Sequence, residues 1–277
     1  MNFGSLNLDY VYGVDHFVQP GETLAAISRD VKHGGKGLNQ SIALVRAGAD
    51  TAHAGCVGQG GESLLAVQEM QGHTVIQVNR EGENCILLYG GSNRCVTEKQ
   101  IRDTMARFAP GDWLVLQNEV NLLPMIVEEG ARRGLNIALN PSPYNDSLRE
   151  VDYGKLTWVL VNEIEAEQIT GESDPVNAWK VLHVRYPRLS ALITLGGKGS
   201  MAFRVTDTGV ETVRQAAKRV HAVDTTAAGD TFTGYFIAGL MENMPLQACM
   251  GRASHAAAIS VTRPGAADSI PLRSEVE

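Results

Sequence analysis

Asp224-Thr225-Thr226-Ala227-Ala228-Gly229-Asp230-Thr231-Phe232-Thr233-Gly234 is the stretch on which the reading of this chain turns. Small residues precede an apolar helical run through Phe232, Phe236 and Leu240, and a carboxylate sits in its first turn. The free backbone N–H groups of a helix N-terminus, backed by the helix dipole, attract anions. Ala227, Ala228 and Gly229 are small enough to let a phosphate approach those groups, and Asp230 is placed to act on whatever attacks the phosphate. That is the layout of a phosphoryl-transfer site. Taken alone, Asp230 is equally well read as an acidic residue favouring the positive end of a helix.

Working outward, His33-Gly34-Gly35-Lys36-Gly37-Leu38-Asn39-Gln40 is a second glycine-rich turn that opens a helix ending at Gly48. Met1–Leu8 reads as a strand, and the segment from Tyr10 to about Lys32 as strands and a turn of a small separate sheet. A strand is expected over 51–58 and a helix over 62–70, then strands at Thr74–Asn79 and Cys85–Tyr89. Beyond these the alternation is regular. Thr97 and Gln100 form a capping box for a helix to about Phe108, and Trp113–Gln117 is an apolar strand. Leu122–Arg133 reads as a helix, and Asn136–Asn140 and Thr157–Val161 as strands. Asp174-Pro175 starts a helix, Ala191–Leu195 is a strand, and Leu246–Thr262 is a helix rich in small residues. Apolar strands alternating with helices indicate a three-layer α/β fold with a mostly parallel sheet, whose ligands bind beyond the carboxyl ends of the strands.

The totals exclude several classes. The 277 residues carry a net charge of −7, with 44% hydrophobic and 20% charged residues, so no basic excess exists to bind nucleic acid. Cys56, Cys85, Cys95 and Cys249 show no C-x-x-C spacing, which fits a reducing cytoplasm better than a disulfide framework or a zinc site. No apolar run reaches membrane-spanning length, and Asn2, Asn7 and Asp9 interrupt any leader-like start. Gly196-Gly197-Lys198-Gly199-Ser200 resembles part of a P-loop but lacks its spacing.

Six motifs, in order, make the chain resemble the ribokinase-like (pfkB-type) carbohydrate kinases over its whole length. They are Gly34 to Gln40, Leu139-Asn140-Pro141-Ser142-Pro143, Asn162 to Glu167, Ile193 to Gly199, Asp224 to Gly234, and Val261-Thr262-Arg263-Pro264-Gly265-Ala266. The resemblance implies one α/β domain over 1–277, with lid strands from about 10–32 and 74–89. It implies that Asn7, Asp9, Gly35, Lys36, Asn39 and Glu119 hold a sugar, short amides and carboxylates supplying fixed donors and acceptors. Asp230 would take the proton from the sugar's primary hydroxyl as it attacks the γ-phosphorus of ATP, with the N–H groups of Ala227, Ala228 and Gly229 stabilising the transferred group. Asn162 and Glu165 would organise Mg²⁺ through water. Thr194, Gly196, Gly199 and Ser254 would line the nucleotide site. Asp224, Thr226, Ser260, Arg263, Gly265 and Ser269 would form a loop for an activating K⁺.

Without the resemblance, Asn7 and Asp9 read as turn residues, Lys36 as a solvated charge, and Asn162 with Glu165 as a helix cap. With it, the substrate expected is a pentose, D-ribose at O5 before deoxyribose, a ketohexose or a nucleoside. A catalytically silent sugar binder is the reading from another class, against which Asp230, Lys36, Asn162 and Glu165 together speak. The family also implies a homodimer through the lids. The stretch after Cys56 departs from its pattern: Val57-Gly58-Gln59-Gly60-Gly61-Glu62 lacks the usual aspartate, and Gln71-Gly72-His73 replaces a longer segment. With a helix over 62–70, that join leaves little chain to reach the lid.

Overall fold

The computed structural model describes residues 1–59, 66–81 and 83–277. The chain begins with β1 (Asn2–Phe3), β2 (Asn7–Gly13) and β3 (Ser28–Gly34), then α1 (Lys36–Arg46), β4 (His53–Ala54) and β5 (Val57–Gln59). Next come β6 (Ala66–Met70), β7 (His73–Val78), β8 (Asn84–Tyr89), α2 (Glu98–Met105) and β9 (Trp113–Gln117). The middle holds α3 (Leu123–Arg132), β10 (Asn136–Asn140), β11 (Trp158–Asn162), α4 (Glu163–Thr170) and α5 (Pro175–Arg185). The chain closes with β12 (Ser190–Thr194), β13 (Ser200–Thr206), β14 (Gly209–Gln215), α6 (Ala228–Met241), α7 (Leu246–Ser260) and α8 (Arg273–Val276).

The main sheet runs β14-β13-β12-β11-β10-β9-β1-β4, with β4 to β12 parallel and β13 and β14 an antiparallel hairpin at one edge. Alternate residues of each central strand enter opposite cores, as the two-residue period requires. Leu114 and Leu116 of β9 join Ile126, Ile137 and Leu182 on the face covered by α2 to α5. Val115 joins Ala138, Leu160, Phe236 and Ala253 on the face covered by α1, α6 and α7. Each such aliphatic side chain contributes about 1.5–3 kcal/mol by burial, so Leu116→Asp at the 0% exposed position would break the fold. The three-layer α/β expectation holds.

A second sheet of four strands, β3-β2-β7-β8, stands over the carboxyl ends of the main one. Its register puts Asn7, Asp9, Thr74, Ile76, Ile86 and Leu88 on one face, and Tyr10, Val31, Val75, Leu87 and Tyr89 on the other. Three expectations need correction. Met1–Leu8 is not one strand: β1 belongs to the main sheet and β2 to the small one, with Gly4 to Leu6 passing between them. The 51–58 strand is two short strands. Residues 66–70 form β6, paired parallel with β5, where a helix was expected; 62–65, and the glycines at 60 and 61, lie outside the described residues. Because β6 is extended, Gln71 and Gly72 suffice to reach β7. Gln71 is buried, accepting a hydrogen bond from Gly58 N at 2.7 Å and donating to the Leu6 carbonyl.

Candidate active site

A cavity of about 510 Å³ lies between the small sheet and the strand ends of the main one. Asn140, Asn162 and Thr194 reach it from the ends of β10, β11 and β12, and Glu119 from the turn after β9. Asn7, Asp9, Thr74, Ile76, Ile86 and Leu88 form its roof.

Two helices bring the reactive groups together. A Cβ on Gly234 would stand 2.4 Å from the Ala43 Cβ, so α1 and α6 touch there as only glycine permits. One turn earlier on each helix, this contact sets Asn39 and Gln40 against Asp230. Asn39 Nδ2 donates to Asp230 Oδ2 at 3.1 Å, and Gln40 Nε2 to Oδ1 at 2.9 Å. Asp230 is buried, so a carboxylate there needs both donors.

The N-cap of α6 is Ala227, in a left-handed conformation at φ 59°. Thr231 N and Oγ1 both donate to the Ala227 carbonyl, at 2.8 and 2.9 Å, which ties the turn to the helix. Ala227 and Gly229 line the cavity, and a Cβ added at Gly229 meets nothing within 4 Å. Ala228 does not line it: its N–H donates to Thr225 O at 3.3 Å. Of the three residues expected to supply a hole, Ala227 and Gly229 line the cavity, with Thr225 and Thr226 beside them.

Charges converge at the other end. Glu119 is buried and accepts from Ser5 Oγ and, at 2.9 Å, from Lys36 N. Burial raises its pKa despite the Lys36 ammonium and these two hydrogen bonds. Burial raises Asp9 as well, against the 2.6 Å hydrogen bond that Thr74 Oγ1 donates to it, and the Asp230 charge adds to the rise. Burial pulls the Lys36 ammonium down, but the Asp230, Glu119 and Glu165 carboxylates together hold its pKa above the ordinary value. Lys36 is therefore charged at neutral pH. Asn7 Oδ1 accepts from Asn93 Nδ2 at 2.7 Å, while Asn7 Nδ2 and Asn39 Oδ1 are buried without a partner among the described residues. A buried donor and a buried acceptor left unpaired are costly unless a polar ligand meets them.

At the nucleotide end, Asn162 Oδ1 accepts from Glu165 N at 2.8 Å, and Glu165 Oε2 accepts from Asn162 N at 3.0 Å. This is a capping box for α4, yet both side chains also line the cavity. Glu165 Oε1 has no hydrogen-bond partner among the described residues, so the cap leaves one carboxylate oxygen for a water-bound cation. No three His, Cys, Asp or Glu side chains converge on a metal-sized site among the described residues. A divalent ion would thus rest mainly on phosphate and water, as Mg²⁺ does.

Thr194 lines the cavity; Gly196, Gly199 and Ser254 do not, and Ser254 is buried within α7. Of the loop residues expected for K⁺, Thr226 and Gly265 meet on Asp224. Its Oδ1 accepts from Thr226 N at 2.9 Å and its Oδ2 from Gly265 N at 2.8 Å, which joins the two loops. Arg263 directs its guanidinium to Glu275, so only its carbonyl remains for a cation. Ser260 and Ser269 are fully buried, each donating its hydroxyl to a nearby carbonyl. Such a loop offers oxygen donors, the kind a hard monovalent ion takes.

Sequence reasoning missed Gln40, Thr74, Ile76, Ile86, Leu88 and Asn93. The roof residues were legible in principle from the alternation along β7 and β8. Asn93 carried no local signal, and the motif around Gln40 gave no sign of its role, because their partners are distant in the chain.

A family model described as "pfkB family carbohydrate kinase" matches residues 1–273. The ribokinase of Haemophilus influenzae is 35% identical, over 98% of this chain and 95% of that protein. The crystal structure of Thermotoga maritima ribokinase superposes with a TM-score of 0.85 at 33% identity, covering 99% of this chain and 96% of that one. That of Cryptococcus neoformans ribokinase, in complex with ADP, gives 0.84 at 29% identity, covering 99% and 97%.

Proposed function

The chain belongs to the pfkB family of carbohydrate kinases, and we propose that it transfers the γ-phosphate of ATP to the primary hydroxyl of D-ribose, at O5. One observation carries this reading. The Asp230 carboxylate stands where the polar wall of Asn7, Asp9, Lys36, Asn39 and Glu119 meets the N-terminus of α6. A sugar held by that wall presents its hydroxyl to Asp230, and a phosphate at Ala227 and Gly229 lies beside it.

In the transfer, O5 attacks the γ-phosphorus and Asp230 takes the O5 proton. The bond to the β,γ-bridging oxygen breaks, and ADP leaves with that electron pair. The N–H groups of Ala227 and Gly229 offset the charge on the transferred group, one such donor being worth about 2.7–4 kcal/mol. Lys36 holds the sugar among its carboxylates. Mg²⁺, when bound, neutralises phosphate charge; Glu165 and Asn162 would hold it through water. The Asp224 and Gly265 loops, with Thr226, Ser260, Arg263 and Ser269, would hold K⁺ beneath the anion turn. Thr194 borders the nucleotide, with Gly196, Gly199 and Ser254 further along its path.

An ADP-release assay over ribose, deoxyribose, fructose and nucleosides, with Mg²⁺ and with K⁺ or Na⁺, tests the reading. Ribose should give the highest kcat/KM; a higher value for another sugar would reassign the substrate, and no turnover at all would leave only a silent binder.

We also propose a homodimer through the outer face of the small sheet. Leu87, 72% exposed, lies there with Val31 and Tyr89, flanked by the unpaired edges of β3 and β8. Leu87→Asp should shift sedimentation from dimer to monomer; an unchanged species would remove this face from the interface.

A further inference from the structure

A general base must present one lone pair in a fixed direction, yet the terminal torsion of an aspartate is broad and two-fold. Whatever holds the plane of the Asp230 carboxylate therefore shapes the reaction. Asn39 supplies one donor, but it faces the cavity and its Oδ1 is unpartnered. Gln40 differs: it is 0% exposed, as are Asn2 and Gln117.

These three amides form a row that ends on the base. Gln117 Nε2 donates to Gln40 Oε1 at 2.6 Å and to Asn2 Oδ1 at 3.1 Å. Asn2 Nδ2 donates to Gly37 O at 2.6 Å and to Ser41 Oγ at 2.9 Å. Gln40 Nε2 donates to Asp230 Oδ1 and, at 3.3 Å, to Asn140 Oδ1. Turning the Gln40 amide over would set an oxygen against the carboxylate and a donor against Gln117, two buried mismatches at once. The row is pinned by backbone contact, for a Cβ on Gly4 would stand 2.2 Å from Gln117 Oε1 and 2.7 Å from Gly37 Cα. None of the three amides titrates.

We infer that Gln40, locked by Gln117 and Asn2, is a positioning residue that fixes the plane of the Asp230 carboxylate. The inference rests on the kinase reading above and adds residues that touch neither sugar nor nucleotide. It assigns to the buried end of β9 a role in catalysis that packing alone does not require.

The test uses the full chain in the ADP-release assay, with kcat, both KM values and melting curves for Gln40→Leu, Gln117→Leu and the double variant. Gln40→Leu should lower kcat about a hundredfold with both KM values changed less than about threefold. Gln117→Leu should give the same changes at about a tenth of the size in kcat, and the double variant should be no worse than Gln40→Leu. Gln117→Leu stands alone if Gln40→Leu does not fold. Lower melting temperatures with kcat and both KM values changed alike would show a structural role and overturn the inference, as would kcat within about twofold of wild type. Wild-type protein inactive on every sugar would instead overturn the kinase reading, and this inference with it; Asp230→Asn is the inactive control.

Discussion

The two ends of the cavity are built from different materials. At the end proposed for the sugar, side chains hold side chains: Thr74 on Asp9, Ser5 on Glu119, Asn93 on Asn7, and Asn39 with Gln40 on Asp230. At the phosphate end the working groups are backbone, the turn at Ala227 and the open position at Gly229. The contrast follows from the ligands. A sugar is distinguished by where its hydroxyls point, so its site needs fixed donors and acceptors, at the cost of burying carboxylates. A phosphate needs charge and close approach, which a helix N-terminus supplies whatever its side chains.

Asp230→Asn tests the junction of the two ends and should have the largest effect. Turnover should fall by more than about a thousandfold, with sugar affinity by calorimetry within about tenfold. An Asn there also turns an NH₂ toward either the Asn39 or the Gln40 donor, so its melting temperature should drop. Wild-type kcat would remove Asp230 from its role. Gly229→Val breaks only the phosphate end. Its side chain enters open space without disturbing the core, and should lower kcat/KM for ATP about a hundredfold with sugar affinity unchanged. Asn7→Ala breaks only the sugar end, removing the unpartnered Nδ2. KM for the sugar should rise about tenfold and KM for ATP stay put.

Asp9→Asn sharpens the comparison with the smallest effect. Burial raises the folded-state pKa of Asp9 above its unfolded value of 3.8, so ionising it costs stability. That cost is absent below the unfolded pKa and grows as pH rises through the folded one. At neutral pH the variant should melt higher, by about the 2–4 °C that 1 kcal/mol gives in a large domain. The difference should vanish at acid pH, and the sugar should bind less tightly. Equal melting temperatures at neutral pH would mean that Asp9 costs the fold nothing.

Much of this was legible in the sequence where the signal is local. The turn before Asp230, the glycines around Lys36, the Thr97–Gln100 box and the Asp174-Pro175 start each depend on neighbours within a few residues, and each stands as read. What escaped depends on partners elsewhere. Ala66-Val67-Gln68-Glu69-Met70 is composed mostly of good helix formers, yet pairing with β5 makes it a strand, tertiary context overriding propensity. The split of Met1–Leu8 between two sheets is likewise decided by what lies beside each half. Gln40 sits in a motif that was noticed, but its partner is 190 residues away.

A thin thread ties the roof to the floor. Asn84 Nδ2, at the start of β8, donates to Thr226 Oγ1 at 3.3 Å, in the loop that leads to Ala227. A contact shared in this way makes the two parts thermodynamic partners. Any ligand that favours the arrangement of Thr226 favours, through this bond, the position of β8, and a ligand held under the roof favours Thr226 by the same free energy in return.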